Sequence, residues 1–282
     1  MQDFRQEINA RALIDLEQRR TDSIGLEQRR TWYSPVADVY YNARADYPKE
    51  LIDRSVALAQ LDSDASILEV GCGPGNATVA FAQFGFSMTC IEPNQDFCHL
   101  VQQNCDQYPK VTICNTSFEE WELEPKQFNA VLGANAFHWI PPEIRYTKAA
   151  EAMCDNGFLI LLWNLTPEPK YEVYQVLEEV YQAYAPSFVR YEGAEVQADI
   201  LRGFGQDILD SNCFKELVVE QTACEVTYSI DNYLKLLSTF RRLQPETKEL
   251  LFAGLRQKLE KFGDSVQLEF LSAVHVARKA PV

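Results

Sequence analysis

The segment Leu68-Glu69-Val70-Gly71-Cys72-Gly73-Pro74-Gly75-Asn76 constrains the fold more than any other stretch: an apolar run enters three glycines at alternate positions, and a helical pattern follows. Glycine lets the backbone turn tightly there and approach a ligand with no Cβ in the way. Strand, glycine turn and helix in that order open a βαβ unit, which in turn requires a parallel sheet with helices on its faces.

The chain continues as such a unit demands. From about residue 65, short β-rich runs alternate with helical ones, predicting strands at 67–70, 88–91, 111–114, 130–132 and 158–163 and helices near 76–84, 94–106 and 142–154. Pro141-Pro142 suits the first turn of the last helix, and Asp155-Asn156-Gly157 supplies turn chemistry before the fifth strand. After Trp163 the alternation stops. Val173, Leu177, Val180 and Tyr184 share one helical face, a second helix is expected over 195–209, and the segment 165–212 reads as a helical cap insertion over the sheet. A strand at 215–228, helices at 231–240 and 246–262, and a closing strand at 266–278 complete the pattern. In the last of those helices Leu251, Leu255, Leu259 and Phe262 form the apolar stripe. With 282 residues there is enough chain for one large α/β domain or two modest ones.

The ligand follows from spacing and charge. Dinucleotide enzymes favour G-x-G-x-x-G, whereas the spacing here is G-x-G-x-G. Glu69 beside the loop would repel a pyrophosphate and suits an ammonium or a sulfonium. Glu92, at the end of the second predicted strand, can accept hydrogen bonds from both hydroxyls of a ribose. A nucleoside with a cationic tail is the expected ligand.

These residues resemble the class I S-adenosylmethionine-dependent methyltransferases, in particular the group that includes trans-aconitate methyltransferase-like enzymes. The resemblance is specific over roughly residues 32–164 and rests elsewhere on layout alone. It is carried by Glu69 to Gly75, by Glu92, by Thr116-Ser117-Phe118-Glu119, by Asn135-Ala136-Phe137-His138-Trp139, and by Tyr41-Asn42-Ala43-Arg44-Ala45-Asp46-Tyr47-Pro48. It implies an α/β, Rossmann-like, seven-stranded, mostly parallel sheet flanked by helices, with the cap inserted. Residues 1–50 would form a helical arm covering the cofactor pocket, 51–164 the cofactor-binding core, and 213–282 the last strands of the same sheet with a helical pair between them.

S-adenosylmethionine is the implied cofactor. The resemblance assigns Glu69, Gly71, Cys72, Gly73 and Gly75 to its methionine end, Glu92 with Pro93 and Asn94 to the ribose, Ser117 and Phe118 to the adenine edge, and Asn135 to the vicinity of the methyl group. Phe128-Asn129 stands where the family usually has Phe-Asp, and Asp155-Asn156-Gly157 where it has Pro-Gly-Gly. Both differences bear on the subfamily and not on the cofactor.

Charge narrows the acceptor. With 26 basic and 41 acidic residues the net charge is −15, and the longest basic runs are pairs (Arg19-Arg20, Arg29-Arg30, Arg241-Arg242, Arg278-Lys279), read as solvated element ends. Polyanions need a basic stripe, so nucleic acid is excluded as the expected partner. The motif after the fourth strand is also not the Asn/Asp-Pro-Pro-aromatic box that grips a flipped base. A small-molecule acceptor remains. The strongest apolar run, Phe158 to Trp163, is far short of a membrane span, and the first 20 residues hold no apolar leader, so a cytoplasmic protein is expected. Eight cysteines contain no C-x-x-C pair and read as free thiols, with no metal site. Leu16-Glu17-Gln18-Arg19-Arg20-Thr21 recurs ten residues later as Leu26 to Thr31, a local duplication in the polar arm.

Methyl transfer from a sulfonium is an in-line displacement that needs positioning before it needs a base. His138, at the carboxyl end of a strand, is the candidate base. Arg44 has the planar fork to hold the cofactor's carboxylate or an acidic substrate. Tyr41, Trp139 and Trp163, with Tyr171, Tyr174, Tyr181 and Tyr184 of the cap, are candidates for an aromatic substrate wall. Two other readings keep the same glycine loop: a non-catalytic S-adenosylmethionine binder acting as a sensor, and a cyclopropane-fatty-acid-synthase-like lipid enzyme, for which no basic membrane-facing patch is present.

Overall fold

The computed structural model describes residues 25–240 and 244–281. The Arg19-Arg20 and Arg241-Arg242 pairs and the first copy of the repeat lie outside those residues. The chain begins with helices α1 (Leu26–Arg30), α2 (Ala37–Ala43) and α3 (Lys49–Leu58). It then alternates through β1 (Ser66–Val70), α4 (Asn76–Ala82), β2 (Ser87–Ile91), α5 (Gln95–Asn104), β3 (Val111–Cys114), β4 (Phe128–Ala134), α6 (Pro142–Ala152) and β5 (Met153–Asn164). After the short strand β6 (Glu168–Pro169) come α7 (Tyr171–Tyr184), α8 (Ala194–Asp210), β7 (Phe214–Ser229), α9 (Ile230–Ser238), α10 (Pro245–Leu259) and β8 (Ser265–Lys279).

One mostly parallel sheet runs β3-β2-β1-β4-β5-β8, with β7 outside β8. Only β8 runs against the direction of the other strands. The sheet has eight strands where seven are expected from sequence. The extra one, Glu168–Pro169, pairs with Leu268 and Glu269 of β8 and prolongs the track of β5 after a break. That break, at the carboxyl end of β5, opens the room for a site.

Side chains alternate across the pleat, so each strand feeds two cores. Ile67, Met88, Ala130, Leu132, Ile160 and Val274 pack with α3, α4 and α5 on one face. Leu68, Val131, Leu159, Leu161, Trp163 and Ala273 pack with α6 and α8 on the other. Covering both faces is why the central strands read as continuous apolar runs. Local chemistry fixes the ends: the Asn94 side chain accepts from the Phe97 N–H at 3.0 Å and caps α5, and Ser229 caps α9 through the Asn232 N–H. Asn129 uses its Oδ1 to accept from the Ser66 N–H at 2.8 Å, the acceptor role an aspartate would fill.

The cap differs from the expectation. The helix at 194–210 is not part of it: Ile200, Leu201 and Ile208 are buried in the sheet core, and Gly205 lies against His275 of β8. A third core joins α7, α9 and α10 through Tyr174, Leu177, Tyr181, Tyr233, Leu237 and Leu251. Two segments separated in sequence thus build one cap. Among the described residues no helix is long and apolar enough to cross a membrane.

His275, fully buried, donates from Nε2 to the Leu201 carbonyl at 2.9 Å, and burial pushes its pKa down to about 4. The unfolded chain, with an ordinary His near 6.5, binds the extra proton between those values, so this group lowers stability as pH falls from 6.5 towards 4. Relative to His275→Gln, wild type should lose about 3 kcal/mol across that window, the shift converted at 1.36 kcal/mol per unit. Urea denaturation of both proteins at several pH values measures this, and parallel pH profiles would refute it.

Candidate active site

The carboxyl ends of β1, β2, β4 and β5 converge on one face of the sheet, where open α/β folds bind ligands. The glycine turn is laid across β2: the Gly71 and Cys72 N–H groups donate to the Ile91 carbonyl at 2.8 and 3.2 Å. Gly71 has φ +68°, and a Cβ there would lie 2.7 Å from the Ala136 Cβ. Glu92, only 6% exposed, receives the Gly73 N–H on Oε2 at 2.9 Å and the Asn94 N–H on Oε1 at 2.7 Å. Burial pushes its pKa up to about 7 against the lowering effect of those two bonds. Each oxygen keeps lone-pair capacity for a hydroxyl.

This carboxylate stands on the wall of a cavity of about 160 Å³. Gly71, Cys72, Gly73, Glu92, Pro93, Asn94, Ser117, Phe118 and Asn135, all candidates for holding the cofactor, line it together. Glu69 and Gly75 line neither this cavity nor its neighbour. Gly75 turns toward α5, where a Cβ would meet Val101 at 2.9 Å. Glu69 is fully buried behind the loop with Oε1 lacking a hydrogen-bond partner, and burial pushes its pKa up to about 8. It is therefore largely neutral at pH 7, which corrects the repulsion argument drawn from its charge. What disfavours phosphates is the cation count: Arg29 and Arg44 are the basic residues on the wall, and Arg29 is ion-paired with Glu119 at 2.6 Å.

A second cavity, of about 240 Å³, adjoins the first and shares Tyr33, Tyr40, Arg44, Asn135, Trp139 and Asn164 with it. His138 and Trp163 line only the second. His138 sits in a 3₁₀ turn, Phe137–Trp139, directly after β4, with its ring 5.8 Å from that of Trp163. Arg44 donates from Nε to Thr239 Oγ1 at 2.9 Å and from Nη2 to the Thr239 carbonyl at 3.1 Å. Its guanidinium lies 4.0 Å from the Phe240 ring centroid. Asn135 adopts φ +49°, a left-handed conformation that Asn tolerates best among non-glycine residues. Its Oδ1 accepts from Tyr47 Oη at 2.9 Å and the Asn164 N–H at 2.7 Å, and its Nδ2 donates to the Asn164 carbonyl at 2.8 Å. That amide is spent on joining the ends of β4 and β5.

The aromatic wall is narrower than expected. Tyr174 and Tyr181 line the second cavity, whereas Tyr171 and Tyr184 are exposed and line neither, and Tyr41 lines neither cavity. The arm contributes more than the sequence reveals. Leu26, Arg29, Trp32 and Tyr33 line the cofactor chamber, and Arg29 and Arg30 are not solvated ends but pair with Glu119 and Glu120 after β3. The only sequence signal for that clamp is the match of a basic pair to an acidic pair. Arg278 and Lys279 are likewise engaged, Lys279 donating to the Met153 carbonyl at 2.8 Å. Among the described residues no group of side chains forms a metal site.

Residues 67–157, which hold the glycine loop, Glu92 and the turn with His138, match the family model described as a methyltransferase domain. The chain is a class I S-adenosylmethionine-dependent methyltransferase. An uncharacterized methyltransferase of Schizosaccharomyces pombe is 23% identical over 262 residues, covering 90% of this chain and 98% of the relative. An uncharacterized methyltransferase of Mycobacterium tuberculosis is 26% identical over 136 residues, 48% of this chain and 53% of the relative, so the match spans about half of that protein. In fold, the methyltransferase is similar to a protein of Anaeromyxobacter dehalogenans named as a type II methyltransferase, with a TM-score of 0.59, 19% identity and coverage of 85% and 99%. It is also similar to a phosphoethanolamine N-methyltransferase of Haemonchus contortus in complex with S-adenosylhomocysteine, with a TM-score of 0.54, 13% identity and coverage of 92% and 60%. The family match and the curated relatives support the methyltransferase class with S-adenosylmethionine as cofactor, and not the trans-aconitate-like grouping in particular; the solved structures show the fold. The chamber fits that cofactor: Glu92 can accept a ribose diol, and the open side of Gly73, where a Cβ would meet nothing closer than 4.0 Å, leaves room along the loop.

Proposed function

We propose that this methyltransferase acts on a small-molecule acceptor held in the 240 Å³ cavity, by in-line transfer to a nucleophilic atom of that acceptor. The observation that carries this reading is the pair of adjoining chambers with a common wall, one shaped for a nucleoside and the other lined by aromatic rings. The cofactor supplies an electrophilic methyl group on a sulfonium. Every other contribution belongs to the chain. Glu92 holds the ribose hydroxyls, and Arg44, on the common wall, presents its fork to the cofactor's carboxylate. Trp139 and Tyr33, in both walls, border the junction where acceptor and methyl must meet. The rings of Trp163 and Phe204, stacked at 4.1 Å, keep water from the acceptor. Holding the nucleophile at near-attack distance accounts for most of the rate. His138 takes the proton that the acceptor atom sheds, since it lines the acceptor chamber and not the cofactor chamber. Eight free thiols are in keeping with a reducing, cytoplasmic setting.

Calorimetry with S-adenosylhomocysteine, followed by methyl-release assays over a small-molecule panel, tests the proposal; tight cofactor binding with no acceptor methylated would favour a sensor instead. His138→Ala should leave cofactor affinity unchanged and lower turnover roughly a hundredfold, the lower end of general-base effects. Unchanged turnover on the true acceptor would remove the base role.

A further inference from the structure

We propose that the acceptor carries an ammonium group and that the cap end of the second cavity holds it between Glu168 and the rings of Tyr174, Tyr181 and Tyr233. This rests on the two-chamber reading above and adds the chemical class of the acceptor to it.

All of these residues line the second cavity and none lines the first, although Pro167, next to Glu168, lines both. Glu168 belongs to the β6 stub, held in register against Leu268 and Glu269 of β8. Its carboxylate is 9% exposed, and both oxygens accept one and the same backbone N–H, that of Glu192, at 3.1 and 2.9 Å. Two carboxylate oxygens sharing one donor keep most of their lone-pair capacity.

The charges around this cavity cancel except at two places. Arg145 faces Asp207 at 3.6 Å, and Arg190 is ion-paired with Glu192. Arg44 is tied to Thr239 on the common wall and is assigned to the cofactor's carboxylate. Glu168 is left as the buried carboxylate in no ion pair. Burial and the nearby Glu192 push its pKa up to about 8, against the lowering effect of the Glu192 N–H and of Arg190, whose own ion pair is with Glu192. A ligand cation beside it would favour the ionised form.

The rings supply the rest of the seat. Tyr181 and Tyr233 join hydroxyls at 3.0 Å, and the Tyr174 ring stands 6.2 Å from that of Tyr181. Tyrosine faces attract ammonium through the ring quadrupole, most strongly where water is excluded. A carboxylate-bearing acceptor would instead meet Glu168 at this end, where Arg190 is already paired with Glu192. The ammonium is an anchor, so the methylated atom lies at the opposite end of the acceptor, near His138 and Trp139.

Binding of unreacting probes separates this from turnover. With S-adenosylhomocysteine-loaded protein, calorimetry compares 2-phenylethylamine and hexylamine with 3-phenylpropanoate, hexanoate and 2-phenylethanol. The amines are expected to bind at least tenfold more tightly than acids or alcohol of similar size. Glu168→Gln, which keeps an acceptor for the Glu192 N–H, should abolish that preference while leaving S-adenosylhomocysteine affinity unchanged. Tyr233→Leu, folded as judged by circular dichroism, should weaken amines more than the alcohol. Acids or alcohol binding as tightly as amines, no amine binding up to millimolar concentration, or a preference that survives Glu168→Gln would each overturn the proposal. Failure of wild type to bind S-adenosylhomocysteine would count against the cofactor chamber instead, and the same titrations on unloaded protein then decide the amine seat by the same criteria.

Discussion

Glu92→Ala is expected to weaken S-adenosylhomocysteine binding by a hundredfold or more. The carboxylate joins the glycine loop, through the Gly73 N–H, to the start of α5, through the Asn94 N–H, and in the function proposed above its remaining lone pairs take the cofactor's ribose. A hydrogen bond to a charged group contributes about 1.5–3 kcal/mol, so losing two ribose contacts removes at least about 3 kcal/mol, or two decades of affinity. Two buried N–H groups would also lose their acceptor, which loosens the loop itself. Glu92→Gln is the sharper control, because an amide offers one acceptor oxygen and turns an NH₂ toward the other N–H. It should fall near the alanine variant and far from wild type. Calorimetric affinity within threefold of wild type for both variants would remove Glu92 from the ribose site.

Gly71→Ala should cost about 2–4 kcal/mol of folding stability, far more than the same change at Gly85. Both glycines have positive φ, +68° and +84°, and a Cβ in that region costs roughly 1 kcal/mol wherever it occurs. The difference is space. A Cβ at Gly71 would lie 2.7 Å from the Ala136 Cβ, and neither atom can swing aside because each is fixed to its own backbone; a Cβ at Gly85 meets nothing within 4 Å. Gly71→Ala must therefore push the turn away from the residues that follow β4, on which the common wall of the two cavities depends. Urea midpoints for the two variants measure the contrast, and equal losses would show that conformational strain alone decides it.

How much of this could be read beforehand depends on the range of the interaction. The glycine loop, strands β1 to β4 and the start of α6 at Pro142 rest on neighbours in sequence and stand where the residues predict, whereas β5 begins at Met153 and takes in the turn expected at Asp155-Asn156-Gly157. That Gly71, Gly73, Glu92 and Ser117 line one cavity was legible for the same reason, since all follow strand ends that pair side by side. The acceptor chamber was not. Its far wall needs Tyr174 of α7 beside Tyr233 of α9, and helical periodicity shows that each is buried without showing against what. Periodicity also placed 195–209 as a helix and could not say that its apolar face meets the sheet and not the cap. The charge state of Glu69 depends on burial, which no local pattern reports. Glu168 sits in two residues of strand, too short to leave any periodic trace.

The arm clasp has a kinetic consequence. Tyr33 borders both cavities, and the helix before it is fastened by Arg29 and Arg30 to Glu119 and Glu120. Displacing that one segment would unroof cofactor and acceptor together. Loading and release on the two sides would then share a single door, so the departure of the spent nucleoside and of the methylated product would become one gated event, sensitive to ionic strength through the exposed Arg30–Glu120 pair.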